Sequence, residues 1–172
     1  MITMEPLLKV TTALKKANID YAMGGSGLLY SLGLVDSVRD WDLTTEAHLA
    51  NVLEALGHLH CEPAPCGDYP FASSYRLSIH AEEPQIDLFG SFTIQTEAGL
   101  CRLPSIPSSI WNGIAVGSPE VWFVAYSLMN RKEKAANLFT YLQTNGSNSK
   151  IIALLLNEPL PSSLRMTLEQ LA

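Results

Sequence analysis

Three aspartates and a glycine pair are the residues of this chain whose types and spacing can do chemistry together. Asp40 and Asp42 flank Trp41 in the stretch Asp40-Trp41-Asp42-Leu43-Thr44, which alternates acidic and apolar residues as a strand does. Side chains in a strand alternate faces, so both carboxylates leave one side while Trp41 and Leu43 point into a core. Asp87 is set between Ile86 and Leu88 in the same manner. If its strand lies beside the first, an inter-strand spacing of about 5 Å gathers three carboxylates into one small pocket. Such a cluster repels itself unless a cation or protons intervene. Hard oxygen ligands suit Mg²⁺, and two such ions about 4 Å apart can clamp the attacking and leaving oxygens of an in-line phosphoryl displacement. Gly24-Gly25-Ser26 supplies the complement. Glycine lets a backbone approach phosphate closely, and the first amides of a following helix point outward, unpaired and partly positive, where a triphosphate can be held.

These residues need elements to position them. Leu7, Val10, Leu14 and Ala17 recur at helical spacing after Pro6, so the chain opens with an amphipathic helix that Asn18 lets stop. Tyr21 to Met23 reads as a strand ending at Gly24-Gly25, and the apolar Ser26 to Leu34 as a buried helix starting from that turn. The 14 residues between Gly25 and Asp40 hold a helix of two to three turns and a return loop, which brings the second strand beside the first. Thr45 is the expected cap of a helix with Leu49, Val52, Leu53 and Leu56 on one face, ended by Gly57, and a strand is expected from His58 to Cys61. After a Pro- and Gly-marked loop, Ser74 to His80 and Gln85 to Phe89 read as a hairpin joined by Ala81-Glu82-Glu83-Pro84. Between Ser91 and Gly117, turn residues interrupt every pattern, which predicts loop with one or two short strands. From Ser118 the pattern is helical as far as Asn145-Gly146, followed by two short helices at 149–156 and 162–171. The expected fold is α/β, a short mixed sheet flanked by helices, with residues 1–117 as the α/β core and 118–172 as a helical C-terminal segment packed on it.

In order and spacing, Gly24-Gly25-Ser26, Asp40-Trp41-Asp42-Leu43 and Ile86-Asp87-Leu88 resemble the signature of the nucleotidyltransferase superfamily, which includes DNA polymerase beta and the kanamycin nucleotidyltransferases. The resemblance covers about Tyr21 to Phe89 and implies transfer of a nucleoside monophosphate from an NTP to an acceptor with two metal ions. It implies that Gly24, Gly25 and Ser26 form the nucleotide-binding turn, with Gly25 and Ser26 on the phosphates. Asp40 and Asp42 would bind both metals, and Asp87 would bind the catalytic metal and help activate the acceptor hydroxyl. Past Gly117 the chain is also similar to small members of the superfamily, in which an Arg-x-Lys-Asp-x-x-Asp-Leu-like run lies on the second of two helices. Here that run is Arg131-Lys132-Glu133-Lys134-Ala135-Ala136-Asn137-Leu138, with Glu133 in place of lysine and Lys134 in place of aspartate. Arg131 and Lys134 are candidate phosphate partners, and a solvated basic helix face is the competing reading.

Other constellations carry less. His58, His60, Cys61 and Cys66 offer nitrogen and sulfur ligands, yet their spacing fits no standard zinc pattern. His80 reads as an exposed turn residue, and Trp111 and Trp122 as core or interface aromatics. Ser26 as a hydrolase nucleophile fails because Gly27 falls one position early for Gly-x-Ser-x-Gly.

Composition bounds the rest. A chain of 172 residues, 47% apolar and 16% charged, can bury a sizeable core. Its apolar runs are far shorter than the ~20 residues of a membrane span, the N-terminus lacks a signal-peptide pattern, and three cysteines make no disulfide framework, so a cytoplasmic protein is expected. A net charge of -6 argues against a phosphate-tracking surface, and polymeric nucleic acid is a disfavoured partner. The expected activity is Mg²⁺-dependent nucleotidyl transfer, adenylyl from ATP in the first instance, to a hydroxyl of a small molecule or protein. The alternative is a catalytically silent nucleotide-binding or interaction module of the same fold.

Overall fold

The hydrophobic pattern that predicts a sheet with one buried face is realised residue by residue in a computed structural model, which describes residues 2–79 and 83–172. Helix α1 (Glu5–Lys16) buries Leu7, Val10 and Leu14, and it stops where Asn18 turns left-handed at φ 55° and Ile19 N–H bonds back to the Leu14 carbonyl. Strand β1 (Ala22–Gly24) then runs straight into α2 (Gly25–Ser31). That helix is shorter than the apolar run suggests. Gly33, at φ 73°, lets the Gly33 and Leu34 amides bond back to Tyr30 and Leu29, and this closes the helix three residues before Leu34.

Strand β2 (Trp41–Thr45) returns antiparallel to β1, with Gly24 opposite Asp42, as the spacing of the two motifs requires. Thr45 belongs to β2 and does not cap the next helix. Its hydroxyl donates to the Asp20 carbonyl, and α3 (Leu49–Ala55) starts instead from His48. The strand expected at His58 to Cys61 is displaced: a turn from Leu56 to Leu59 closes α3, and β3 runs Cys61–Ala64. Pro63 lies inside β3 because β3 is an edge strand, where a missing N–H costs no ladder bond. Strands β4 (Tyr75–Ile79) and β5 (Ile86–Gly90) pair antiparallel as expected; His80, Ala81 and Glu82 of that hairpin lie outside the described residues.

The stretch expected to be mainly loop holds four strands in two hairpins: β6 (Thr93–Thr96) with β7 (Gly99–Arg102), and β8 (Pro107–Trp111) with β9 (Ile114–Gly117). Of the residues that break the pattern, Gly113 is a hairpin turn itself, whereas Gly99 and Pro107 open β7 and β8. Asn112 and Gly113 adopt φ 49° and 79°, the left-handed pair that a two-residue hairpin loop demands. Helices α4 (Pro119–Leu128), α5 (Lys132–Asn145), α6 (Ser149–Leu156) and α7 (Ser162–Leu171) follow. Ser118 caps α4 by accepting the Val121 amide, and the buried Glu120 accepts both the Ser118 hydroxyl and the Asn148 amide, joining the starts of α4 and α6.

The main sheet is mixed, in the order β3-β4-β5-β2-β1-β9-β8, with β2/β5 and β1/β9 parallel. One face is apolar. Met23 pairs with Leu43, Leu43 with Leu88 and Leu88 with Leu77, all fully buried in one cluster with Leu7, Leu28 and Val52. The opposite face carries Asp42, Asp87, Ser78 and Arg76 at the alternate positions. The chain thus has the α/β architecture that the sequence implies, with more strands.

Candidate active site

Three neighbouring strands place the chemistry in one row. Gly24 of β1 is opposite Asp42 of β2, and Asp42 is opposite Asp87 of β5. Gly25 follows with φ 57°, a left-handed conformation that lets strand become helix without a connecting loop. A Cβ built on Gly25 would lie 2.1 Å from the Asp42 Oδ2, so the turn backbone is pressed against that carboxylate. A Cβ on Gly24 would lie 1.9 Å from Cζ2 of Trp122, which packs beneath the turn from α4. The Ser26 hydroxyl donates to the Asp40 carbonyl at 3.3 Å and ties the start of α2 to the approach of β2. Asp40 immediately precedes the strand and is exposed, and Asp42 is half-buried.

Asp87 is held differently. It is buried, and its carboxylate is claimed by β4 and by its own strand: Arg76 Nη2 donates to Oδ2 at 2.8 Å, Ser78 Oγ to Oδ1 at 2.9 Å and Gln85 Nε2 to Oδ1 at 3.1 Å. The Arg76 guanidinium also lies over the Phe89 ring, 5.5 Å from its centroid. No donor among the described residues bonds to the Asp42 carboxylate. Burial, with the charges of Asp87 and Asp40 added, pushes Asp42 up to about 7, while Arg76 and Lys134 pull the other way. The Tyr126 hydroxyl on α4 is also raised, first by burial and then by Asp42, against the pull of Arg131.

A divalent cation fits this donor set in part. Asp40 and Asp42 present oxygens to the cleft, and the upward shift of Asp42 marks a place where positive charge is wanted. Among the described residues, no three His, Cys, Asp or Glu side chains are grouped so as to hold a metal ion. Asp87, beside Asp42 on the next strand, has both oxygens already bonded.

The cleft itself measures about 620 Å³. Its polar half is formed by Gly25, Ser26, Asp40 and Asp42 together with Arg39, Arg131 and Lys134. Arg131 and Lys134 therefore face the cleft, and Lys134 Nζ lies 5.3 Å over the Tyr126 ring. Its other half is aromatic: the ring centroids of Phe89 and Phe92 are 5.7 Å apart, and Phe92 stacks on Trp122 at 5.3 Å and 21°. Trp122 is thus a core aromatic that also floors the site, whereas Trp111 packs on Tyr30 and Trp41 away from it. Of the His/Cys group, Cys61 opens β3 and His60, just before it, faces Glu62 at 3.3 Å. Sequence reasoning missed Arg39, Arg76 and the aromatic wall. Arg76 and Ser78 had a signal, since two polar residues at i, i+2 in an otherwise apolar strand share one face.

The fold is that of nucleotidyltransferases. A candidate nucleotidyltransferase from Thermotoga maritima superposes on 84% of this chain and 96% of its own, at TM-score 0.61 and 19% identity. The antibiotic-resistance factor ANT(2'')-Ia does so on 90% of each chain at TM-score 0.58 and 18% identity. LnuA, a lincosamide antibiotic adenylyltransferase with lincomycin bound, covers 80% of this chain with 96% of its own, at TM-score 0.53 and 18% identity. No family model matches the sequence, and no curated protein matches it.

Proposed function

We propose that this protein is a Mg²⁺-dependent nucleotidyltransferase that moves a nucleotidyl group, adenylyl from ATP in the first instance, to a hydroxyl of a small molecule or protein. The observation that carries the reading is the row Gly24–Asp42–Asp87 across three strands, with the Gly25 backbone against the Asp42 carboxylate. Fold likeness adds direction, because two of the similar structures are of antibiotic-modifying proteins, one of them solved with adenylyl-2''-tobramycin. The bound ions would supply charge neutralisation at the phosphates and polarise the reacting oxygens.

The chain's own residues have separable tasks. The turn amides at Gly25 and Ser26 would meet phosphate oxygens, and Arg39, Arg131 and Lys134 would offset their charge. Asp40 and Asp42 would hold the ions. Asp87, fixed by three donors, would orient the acceptor hydroxyl whose oxygen bonds to the α-phosphorus as the bond to pyrophosphate breaks, the proton passing to a cleft carboxylate. One observation favours the silent module instead: the ion pair with Arg76 already satisfies Asp87. Label transfer from α-labelled ATP with Mg²⁺ to a panel of hydroxyl acceptors, followed beside a separate measurement of pyrophosphate release, decides between them. Calorimetric ATP binding with no release against any acceptor would sink the enzyme reading, and no ATP binding would sink both the enzyme and the nucleotide-binding module.

A further inference from the structure

The half of the cleft that faces the carboxylates has a chemistry of its own. Phe89 lies on β5 two residues beyond Asp87, so the two side chains leave the same face of the sheet. Strand β5 is flanked by β4 on one side and β2 on the other, and the glycine turn lies beyond β2. Taking that turn as the phosphate side, a step that rests on the proposed function, leaves Phe89 on the side of the acceptor, with Phe92 packed between it and Trp122 and with Phe71 lining the same cleft. This wall is largely fixed: Phe89 is held between Arg76 and Phe92, and Phe92 is stacked on Trp122. Phe71 is the exception, 36% exposed at the rim and supported on one side by Gly67. An aromatic ring left in water at the mouth of a concave site is surface that a ligand can cover.

Charge narrows the ligand further. Among the described residues lining the cleft, the cations Arg39, Arg131 and Lys134 face the two carboxylates of Asp40 and Asp42, and both carboxylates have work to do in holding metal. A polycationic acceptor needs spare acids, and with Asp40 and Asp42 on metal and the three cations on phosphate the described lining of this cleft has none to offer. We infer that the Phe71–Phe89–Phe92 wall is the acceptor subsite and that it takes an uncharged hydroxyl compound with a flat apolar face rather than a polycation.

Binding of two probes to the full chain, followed by protein-observed NMR, tests this: 2-naphthylethanol, an uncharged aromatic alcohol, and tobramycin, a polycation rich in hydroxyls. The expected result is 2-naphthylethanol binding that Mg²⁺-ATP does not displace and that Phe71→Ala weakens on the order of ten-fold, the scale of one lost aromatic contact with its buried area. Tobramycin should bind more weakly than 2-naphthylethanol in the wild type, a comparison that needs no variant. Displacement by ATP would make the wall a platform for the base and overturn the assignment. Tighter tobramycin binding, or equal affinities in wild type and Phe71→Ala, would overturn it too. The proposed function fails separately: nucleotidyl transfer to tobramycin without 2-naphthylethanol binding keeps the activity and removes the subsite. Phe71-dependent binding with no transfer to any acceptor removes the activity and keeps a ligand site on the wall.

Discussion

Asp42 and Asp87 are the same residue type in register on adjacent strands, and the structure treats them oppositely. Asp87 has an arginine, a hydroxyl and an amide donating to it, whereas Asp42 has no donor among the described residues and is pushed up to about 7, first by burial and then by its acidic neighbours. The pH behaviour follows from that direction. A carboxyl raised from 3.8 unfolded to about 7 folded binds its proton more tightly in the native state, so its ionisation weakens the fold as pH climbs through that window and adds no further penalty above it. In EDTA, wild type should therefore lose thermal stability between about pH 4 and pH 7 relative to Asp42→Asn, with the variant at least as stable at pH 8. Added Mg²⁺ should restore stability to wild type at pH 8 and leave Asp42→Asn unmoved. A wild type that Mg²⁺ does not stabilise at pH 8 would remove Asp42 from the metal site. Asp87→Asn should go the other way, costing about 3 kcal/mol in urea unfolding, because it strands a half-buried arginine whose Nε has no acceptor among the described residues. Asp87 thus has a structural task in addition to any chemical one, and loss of transfer in Asp87→Asn is interpretable only beside its stability. Arg76→Met tests the orienting role: transfer should fall, because the Asp87 carboxylate loses the donor that fixes its Oδ2 while its backbone stays in the sheet.

The glycine turn shows how an element divides labour between adjacent residues. Gly24 faces the Trp122 ring and Gly25 faces the Asp42 carboxylate. Gly24→Ala should overpack the contact between β1 and α4 and cost about 1–3 kcal/mol of stability. Gly25→Ala adds left-handed strain of about 1–2 kcal/mol and sets a methyl on the carboxylate, so it should damage Mg²⁺-ATP binding more than Gly24→Ala does. Denaturation midpoints and calorimetry on the two variants check the ordering; binding that is weaker in Gly24→Ala than in Gly25→Ala would reverse the assignment. This turn was legible in the sequence because strand, two glycines and an apolar helix are local features. So were β2, β5 and the closing helices, whose periodicities need no partner to be read. The hairpin of β8 and β9 had a local signal as well, Asn112-Gly113, but its strands are short and mostly exposed on β8, so alternation could not support it. Strand β3 was misplaced because a proline reads as a breaker until the sheet edge is known. The three aspartates were legible from spacing, but what surrounds them was not. Arg76 reaches Asp87 across a strand pairing, and Phe89, Phe92 and Trp122 form a wall only because α4 packs on the glycine turn.

At the scale of the whole molecule, a chain of net charge -6 carries a cleft whose lining has more cations than acids among the described residues, and the two facts act over different distances. Long-range repulsion between an acidic protein and an anionic nucleotide extends about 30 Å at 0.01 M salt and is cut to about 8 Å at 0.15 M. Arg39, Arg131 and Lys134 act at contact, where screening matters less. On the proposed function, the association rate of Mg²⁺-ATP should then rise modestly as salt is raised from 0.01 to 0.15 M, while Lys134→Met lowers affinity at both salts. This is the reverse of a protein steered by a basic surface, whose association slows steeply as salt increases. Stopped-flow binding of a fluorescent ATP analogue across that range supplies the slope. A steep fall with salt would mean that the cleft cations dominate the field well outside the protein. The argument from net charge against a polymeric nucleic-acid acceptor would then lose its basis, and oligonucleotides would have to join the acceptor panel.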